Sequence, residues 1–76
     1  MNNLVGTNNA GFEILEQGTN AVLAVRESDG MFVSWSYHLE PKKGDWEASF
    51  YWGRYGTEEY ARDCFNKKER GEYSVE

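Results

Sequence analysis

The chain is short of nearly everything that usually reinforces a small domain. Its 76 residues include one cysteine (Cys64), one histidine (His38) and one proline (Pro41). A single thiol cannot close an internal disulfide, the common support of small secreted domains. One His and one Cys cannot make a zinc site of the usual type, and no run of carboxylates has the spacing of a calcium loop. No apolar run approaches the roughly 20 residues that span a bilayer. The segment 1–10, MNNLVGTNNA, lacks the basic and apolar regions of a secretory signal. The expectation is a cytoplasmic protein with no metal, no cofactor and no membrane, stabilised by packing alone. A chain this short makes one domain and buries about 60% of its unfolded surface.

Positive charge is also scarce, with eight bases against thirteen acids, a formal charge of −5. Residues 1–39 hold four acids and Arg26, residues 40–56 balance at three and three, and residues 57–76 hold six acids and four bases. Nucleic-acid binders neutralise phosphates with clustered Lys and Arg, so the overall balance argues against DNA or RNA as the default partner.

What the chain has is pattern. Residues 1–10 are rich in Asn and show no period, and they read as a flexible N-terminal arm, leaving residues 11–76 as a single small domain. Phe12 and Ile14 alternate with acids, and the run 21–26 (AVLAVR) is short and apolar, so both read as strands. Ser28-Asp29-Gly30 predicts a type I′ hairpin. Met31, Val33, Trp35, Tyr37 and Leu39 then share one strand face, with Phe32, Ser34, Ser36 and His38 on the other. A turn over Glu40–Asp45, containing Pro41 and Gly44, leads to a last strand with Trp46, Ala48, Phe50 and Trp52 in phase. After Gly56 the period changes to 3.6. Thr57 is a good N-cap, Glu58 and Glu59 suit the first turn, Lys67, Lys68 and Arg70 suit the last, and Gly71 is a stop. Ala61, Cys64, Phe65 and Lys68 form the stripe of this helix. The fold class is α+β: an antiparallel meander of three to four strands with one C-terminal helix packed on one face.

Pro41 and Gly44 in the turn, Tyr51, Trp52 and Gly53 at the strand end, then Tyr55, Thr57, Glu59, Ala61 and Phe65 carry a resemblance across residues 40–66. This stretch resembles the second half of the ethylene-response-factor DNA-binding domain, and related sheet-and-helix modules of tyrosine-recombinase integrases. The resemblance implies a three-stranded sheet plus helix that reads DNA with Arg and Trp on the open face, chiefly from the first two strands. Here those strands offer Arg26 and no Trp. Trp-Gly-x-Tyr before a short acidic helix also resembles small orphan proteins of bacteriophages and mobile elements.

Catalytic constellations are missing. His38 neighbours Glu40 on one strand face with no nucleophile motif, and it reads as an exposed strand residue. Cys64 lies far from the helix N-terminus that would activate a thiolate, so it reads as a small buried hydrophobe. Gly53-Arg54-Tyr55-Gly56-Thr57 precedes a helix, but it fits no phosphate-loop spacing, and two acids follow it. An enzyme is not expected.

Aromatics are abundant: three Trp, five Tyr and four Phe, ten of them between Phe32 and Phe65. One sheet face and the helix can use Trp35, Tyr37, Phe50, Trp52 and Phe65 as core. Phe32 and Tyr51 then fall on the opposite face, while Trp46, Tyr55, Tyr60 and Tyr73 lie near edges or ends. Large rigid side chains left partly exposed are what protein interfaces use as anchors. The candidate partner-binding residues are Phe32, Trp46, Tyr51 and Tyr55. The partner expected is another protein or a second copy of the chain, with a small sheet-based DNA-binding domain using Arg26, Arg54, Lys42 and Lys43 as the alternative.

Overall fold

The structure, a computed structural model, describes residues 3–71. Tyr73, one of the end aromatics, lies outside the described residues. Five strands, β1 (Asn8–Asn9), β2 (Phe12–Gln17), β3 (Ala21–Arg26), β4 (Met31–Lys42) and β5 (Asp45–Gly56), precede one helix, α1 (Glu58–Glu69). They form one antiparallel meander in chain order. The α+β class agrees with the sequence, but the described residues form five strands where the pattern predicts three to four. The additional one is β1, two residues with no periodic signal that pair with Phe12 and Glu13. Before it, the Gly6 N–H donates to the Ile14 carbonyl at 2.8 Å and the Leu4 N–H to Gln17 Oε1 at 2.8 Å.

Two turns differ from expectation. The loop between β3 and β4 is the four-residue Glu27–Gly30, and only Gly30 has a positive φ (+72°). Type I′ needs positive φ at both central positions, so Asp29-Gly30 does not form one. Instead Asp29 caps the loop, accepting from the Met31 N–H and from the Arg26 guanidinium. The β4–β5 turn is only Lys43-Gly44, with Gly44 at φ +79°, and Pro41 belongs to β4 opposite Trp46. Lys42 and Asp45 close this two-residue turn as a hydrogen-bonded pair, so the next pair, Pro41 and Trp46, is not hydrogen-bonded and proline's missing N–H costs no bond there.

Each of two strands carries one extra residue. Leu15 interrupts the pairing of β2 with β3, and the Trp52-Gly53 step interrupts that of β5 with β4, where Ser36 faces Tyr51 but Ser34 faces Arg54. Bulges add local twist. The sheet accordingly curls until Phe12 on β2 meets Tyr55 on β5, ring centroids 5.7 Å apart, although two strands separate them.

The curl makes two cores. On the concave face Phe12, Ile14, Val22, Ala24, Val33, Trp35 and Tyr37 are buried, flanked by Leu4, Met31, Leu39 and Phe50. On the other face Ala21 and Leu23 pack against Ala61 and Phe65 of α1, with Phe32 beside them. The helix therefore lies on the Phe32 face. This corrects the assignment of Trp35, Tyr37, Phe50 and Phe65 to one core: the curled sheet covers the first three by itself, and Phe65, carried by the helix, belongs to the core on the other face. The expected stripe of α1, Ala61, Cys64, Phe65 and Lys68, is the buried set found. Thr57 Oγ1 accepts the Tyr60 N–H at 3.2 Å, and Gly71 follows at φ +75°. No described helix is long and apolar enough to cross a membrane.

Candidate interaction surface

β3 ends its pairing at Ala21 with Ser36, while β4 and β5 continue together to Lys42 and Asp45. Residues 37–50 thus leave the sheet as a two-stranded arm. Directly paired residues share a face, and here the alternation is clean. Tyr37 with Phe50, Leu39 with Ala48 and Pro41 with Trp46 lie on the concave side. His38 with Ser49, Glu40 with Glu47 and Lys42 with Asp45 lie on the other. The polar side is laced by Lys42 to Glu47 (3.0 Å) and His38 Nε2 to Glu40 Oε2 (3.0 Å). The glutamate beside Lys42 raises its ammonium pKa.

The apolar side continues the concave core outward. Trp35 touches Phe50 (centroids 5.4 Å), Phe50 touches Tyr37 (6.3 Å), and beyond them Leu39 and Ala48 are half-buried and Pro41 is exposed. Trp46 ends the stripe with 48% of its surface exposed. An isolated two-stranded hairpin is marginal in water, and this one carries an apolar face with nothing described packed over its end.

The four candidate anchors do not form one patch. Phe32 is half-buried in the core beneath α1. Tyr51 stands on the helix side, 5.8 Å from the His38 ring and 4.8 Å from Trp52. Trp46 and Tyr55 are on the concave side, and Tyr55, though 53% exposed, is held by Phe12 and by Trp35, whose Nε1 donates to its hydroxyl at 3.3 Å. Leu39, Ala48 and Phe50 belong to the surface but not to the expected set. Their cross-strand register with Pro41 and Trp46 is the signal that finds them, once Pro41 is placed in the strand.

Trp52, expected in the core, is 51% exposed with φ +57°. The bulge turns it out of the pleat, and Gly53 beside it has no room for a Cβ, since one would lie 2.9 Å from the Trp35 indole. The Trp52 carbonyl accepts from Lys68 Nζ at 2.6 Å, and the Ser34 carbonyl from the same ammonium at 2.8 Å. Lys68 is nearly covered, and burial, with a smaller push from Arg54, lowers its pKa to about 8 against the opposing pull of Cys64. Asn20, Ser36, Tyr37, Tyr51, Trp52, Lys68 and Gly71 line a shallow cleft of about 230 Å³ here. Two of the ammonium's three donors go to backbone, so its role there is to tie α1 to the bulge.

The basic residues do not converge. Arg26 pairs with Met31 on the concave side, 5.0 Å over the Phe12 ring, and is clasped by Asp29. Arg54 and Lys42 pair with Ser34 and Asp45 on the helix side, with Lys43 in the turn. Among the described residues no group of three or more His, Cys, Asp or Glu could hold a metal ion. Comparison with protein-family models, curated proteins and solved structures finds no match to this chain.

Proposed function

We propose that the chain is a non-enzymatic protein-interaction module that holds its partner against the concave side of the β4–β5 arm. The observation behind this reading is the apolar stripe Leu39, Pro41, Trp46, Ala48 and Phe50, which runs out of the core onto a projecting hairpin and ends on a half-exposed Trp. Aromatic and aliphatic side chains fixed on a strand pair lose little entropy on binding, which suits them as anchors. The formal charge of −5 lies mostly outside the arm and favours a partner whose basic residues flank an apolar patch. In a narrower form, the chain is a phage or mobile-element protein that binds or inhibits a host protein.

The test is affinity capture from the native host with the wild-type chain and with Trp46→Ser, which alters only the arm tip. A partner held by the wild type and lost by a folded Trp46→Ser supports the reading, and equal capture by both removes it. The alternative, a DNA-binding sheet, needs its cations on one face, and Arg26 stands on the face opposite Arg54 and Lys42. A gel shift at low salt is expected to show no complex with duplex DNA.

A further inference from the structure

β5 is an edge strand, with β4 on one side and no described strand on the other. The hydrogen-bonding phase of the arm shows which of its groups face outward. From the closing pair Lys42 and Asp45, bonded pairs alternate along the hairpin, so Asp45, Glu47, Ser49 and Tyr51 bond to β4, while Trp46, Ala48 and Phe50 direct N–H and C=O to the open edge. Two observations agree with this phase. Pro41, which has no N–H, sits at a non-bonded position. The Trp46 N–H, turned away from β4, is taken by the side chain of Asp45 at 2.8 Å.

We infer that the occupant of this edge is a second copy of the chain, paired antiparallel through residues 45–51 about a two-fold axis at Ala48. The inference rests on the reading of the arm as an interaction surface. In that register Trp46 pairs with Phe50 of the second copy, its N–H passing from the Asp45 carboxylate to the Phe50 carbonyl, Ala48 pairs with Ala48 and Phe50 with Trp46, so the three outward-facing residues meet three outward-facing residues. An aromatic pair falls on each side of a small central one, Glu47 lies opposite Ser49, and Asp45 lies opposite Tyr51. No charge faces a like charge. Neighbouring registers are worse: an axis at Glu47 sets two carboxylates against each other, and an axis at Ser49 sets Trp46 against Trp52, whose positive φ is off the strand path. The bulge at Trp52 also limits pairing to the arm, as bulges do at sheet edges. Charge favours the same location, because residues 37–50 carry three acids and two bases whereas the rest of the chain carries a net −4.

The experiment is sedimentation of the full chain over a concentration series, with amide exchange read by NMR. The mass is expected to rise from 8.8 kDa toward twice that value, more readily as salt screens the net charge. The Ala48 and Phe50 amides should gain protection in step, while those of Glu47 and Ser49 are protected throughout. Ala48→Pro removes only an outward N–H and should leave a folded monomer. If it does not fold, Ala48→Lys, which opposes two like charges at the axis, should weaken association by about tenfold or more. A mass fixed at 8.8 kDa at millimolar concentration, or a dimer indifferent to both substitutions, overturns the pairing. A monomer whose Trp46→Ser form still loses a host partner overturns the pairing alone and leaves the interaction module standing.

Discussion

The carboxylate of Glu69 fills the space that a Cβ on Gly18 would need, and it receives the backbone N–H groups of Thr19 (2.8 Å), Asn20 (2.7 Å) and Ala21 (2.6 Å). An acid in the last turn of a helix opposes the macrodipole, yet here it satisfies three donors of the β2–β3 turn and holds the end of α1 to the sheet. Glu69→Gln keeps the shape but replaces one acceptor oxygen with a donor facing donors. Chemical denaturation is expected to show a loss of about 1–3 kcal/mol. Gly18→Ala, which displaces the same carboxylate, should cost a similar amount.

Gly53 and its neighbour Trp52 should differ in how well they tolerate substitution. A methyl on Gly53 meets the Trp35 indole and the Tyr55 ring, so Gly53→Ala is expected to destabilise by about 1–3 kcal/mol. Trp52→Gly relieves a left-handed non-glycine backbone at an exposed site and should stay within about 1 kcal/mol of wild type despite losing an indole. Thermal unfolding of both variants checks the pair.

Lys68 sets a pH dependence whose sign is fixed by burial. Its pKa is about 8 in the fold against 10.5 for the free side chain, so the folded state sheds the proton first. The cost of burying the charge is fully present below about pH 8 and fades as pH rises toward 10.5. Lys68→Met leaves the Ser34 and Trp52 carbonyls without this donor and should be less stable at neutral pH. Denaturation midpoints of wild type and variant, compared from pH 7 to 10, should diverge further in favour of the wild type as the lysine neutralises.

Asp29 behaves as the mirror case. The Arg26 guanidinium, and after it the Met31 N–H, hold its carboxyl at about 2, below the ordinary 3.8. Its contribution is present above the ordinary carboxylate range and is lost as pH falls through about 2. An NMR titration of the Asp29 carboxyl in Arg26→Gln is expected to return toward 3.8, and an unchanged midpoint would show that the guanidinium is not the cause.

Ser34 Oγ is buried on the helix side of the sheet with no hydrogen-bond partner among the described residues. Ser34→Ala removes an unsatisfied group and should be neutral or stabilising, by up to about 1 kcal/mol in urea unfolding.

Helix α1 was legible in the sequence because cap, dipole charges, stripe and stop are all local and agree: Thr57, Glu58, Lys67, Gly71 and the buried Ala61, Cys64, Phe65 and Lys68. The central strands were legible for the same reason, as in the alternation from Met31 to Leu39. Which face the helix would take was not. Alternation divides Trp35 from Phe32 but does not say which side α1 covers, and the deciding contacts, Phe65 with Leu23 and Glu69 with the 19–21 backbone, join residues more than 40 positions apart. The candidate surface was half legible. Trp46 stood out by composition, whereas Leu39 and Ala48 acquire meaning only from a register that the Lys43-Gly44 turn sets, and Tyr55 changes phase at a bulge whose one local mark is Gly53 inside the strand.

The arm is joined to the body through Tyr37, Phe50 and the bulge, and past them its two strands bond only to each other among the described residues. Its length is therefore independent of the core. Adding two residues to each strand would carry Trp46 roughly 7 Å farther out with the same side chains on the same faces, whereas adding one to each would turn the apolar stripe to the helix side. Reach can change in one increment only, a whole pleat, and any lineage that adjusts the arm to a new partner has to do so in pairs of residues.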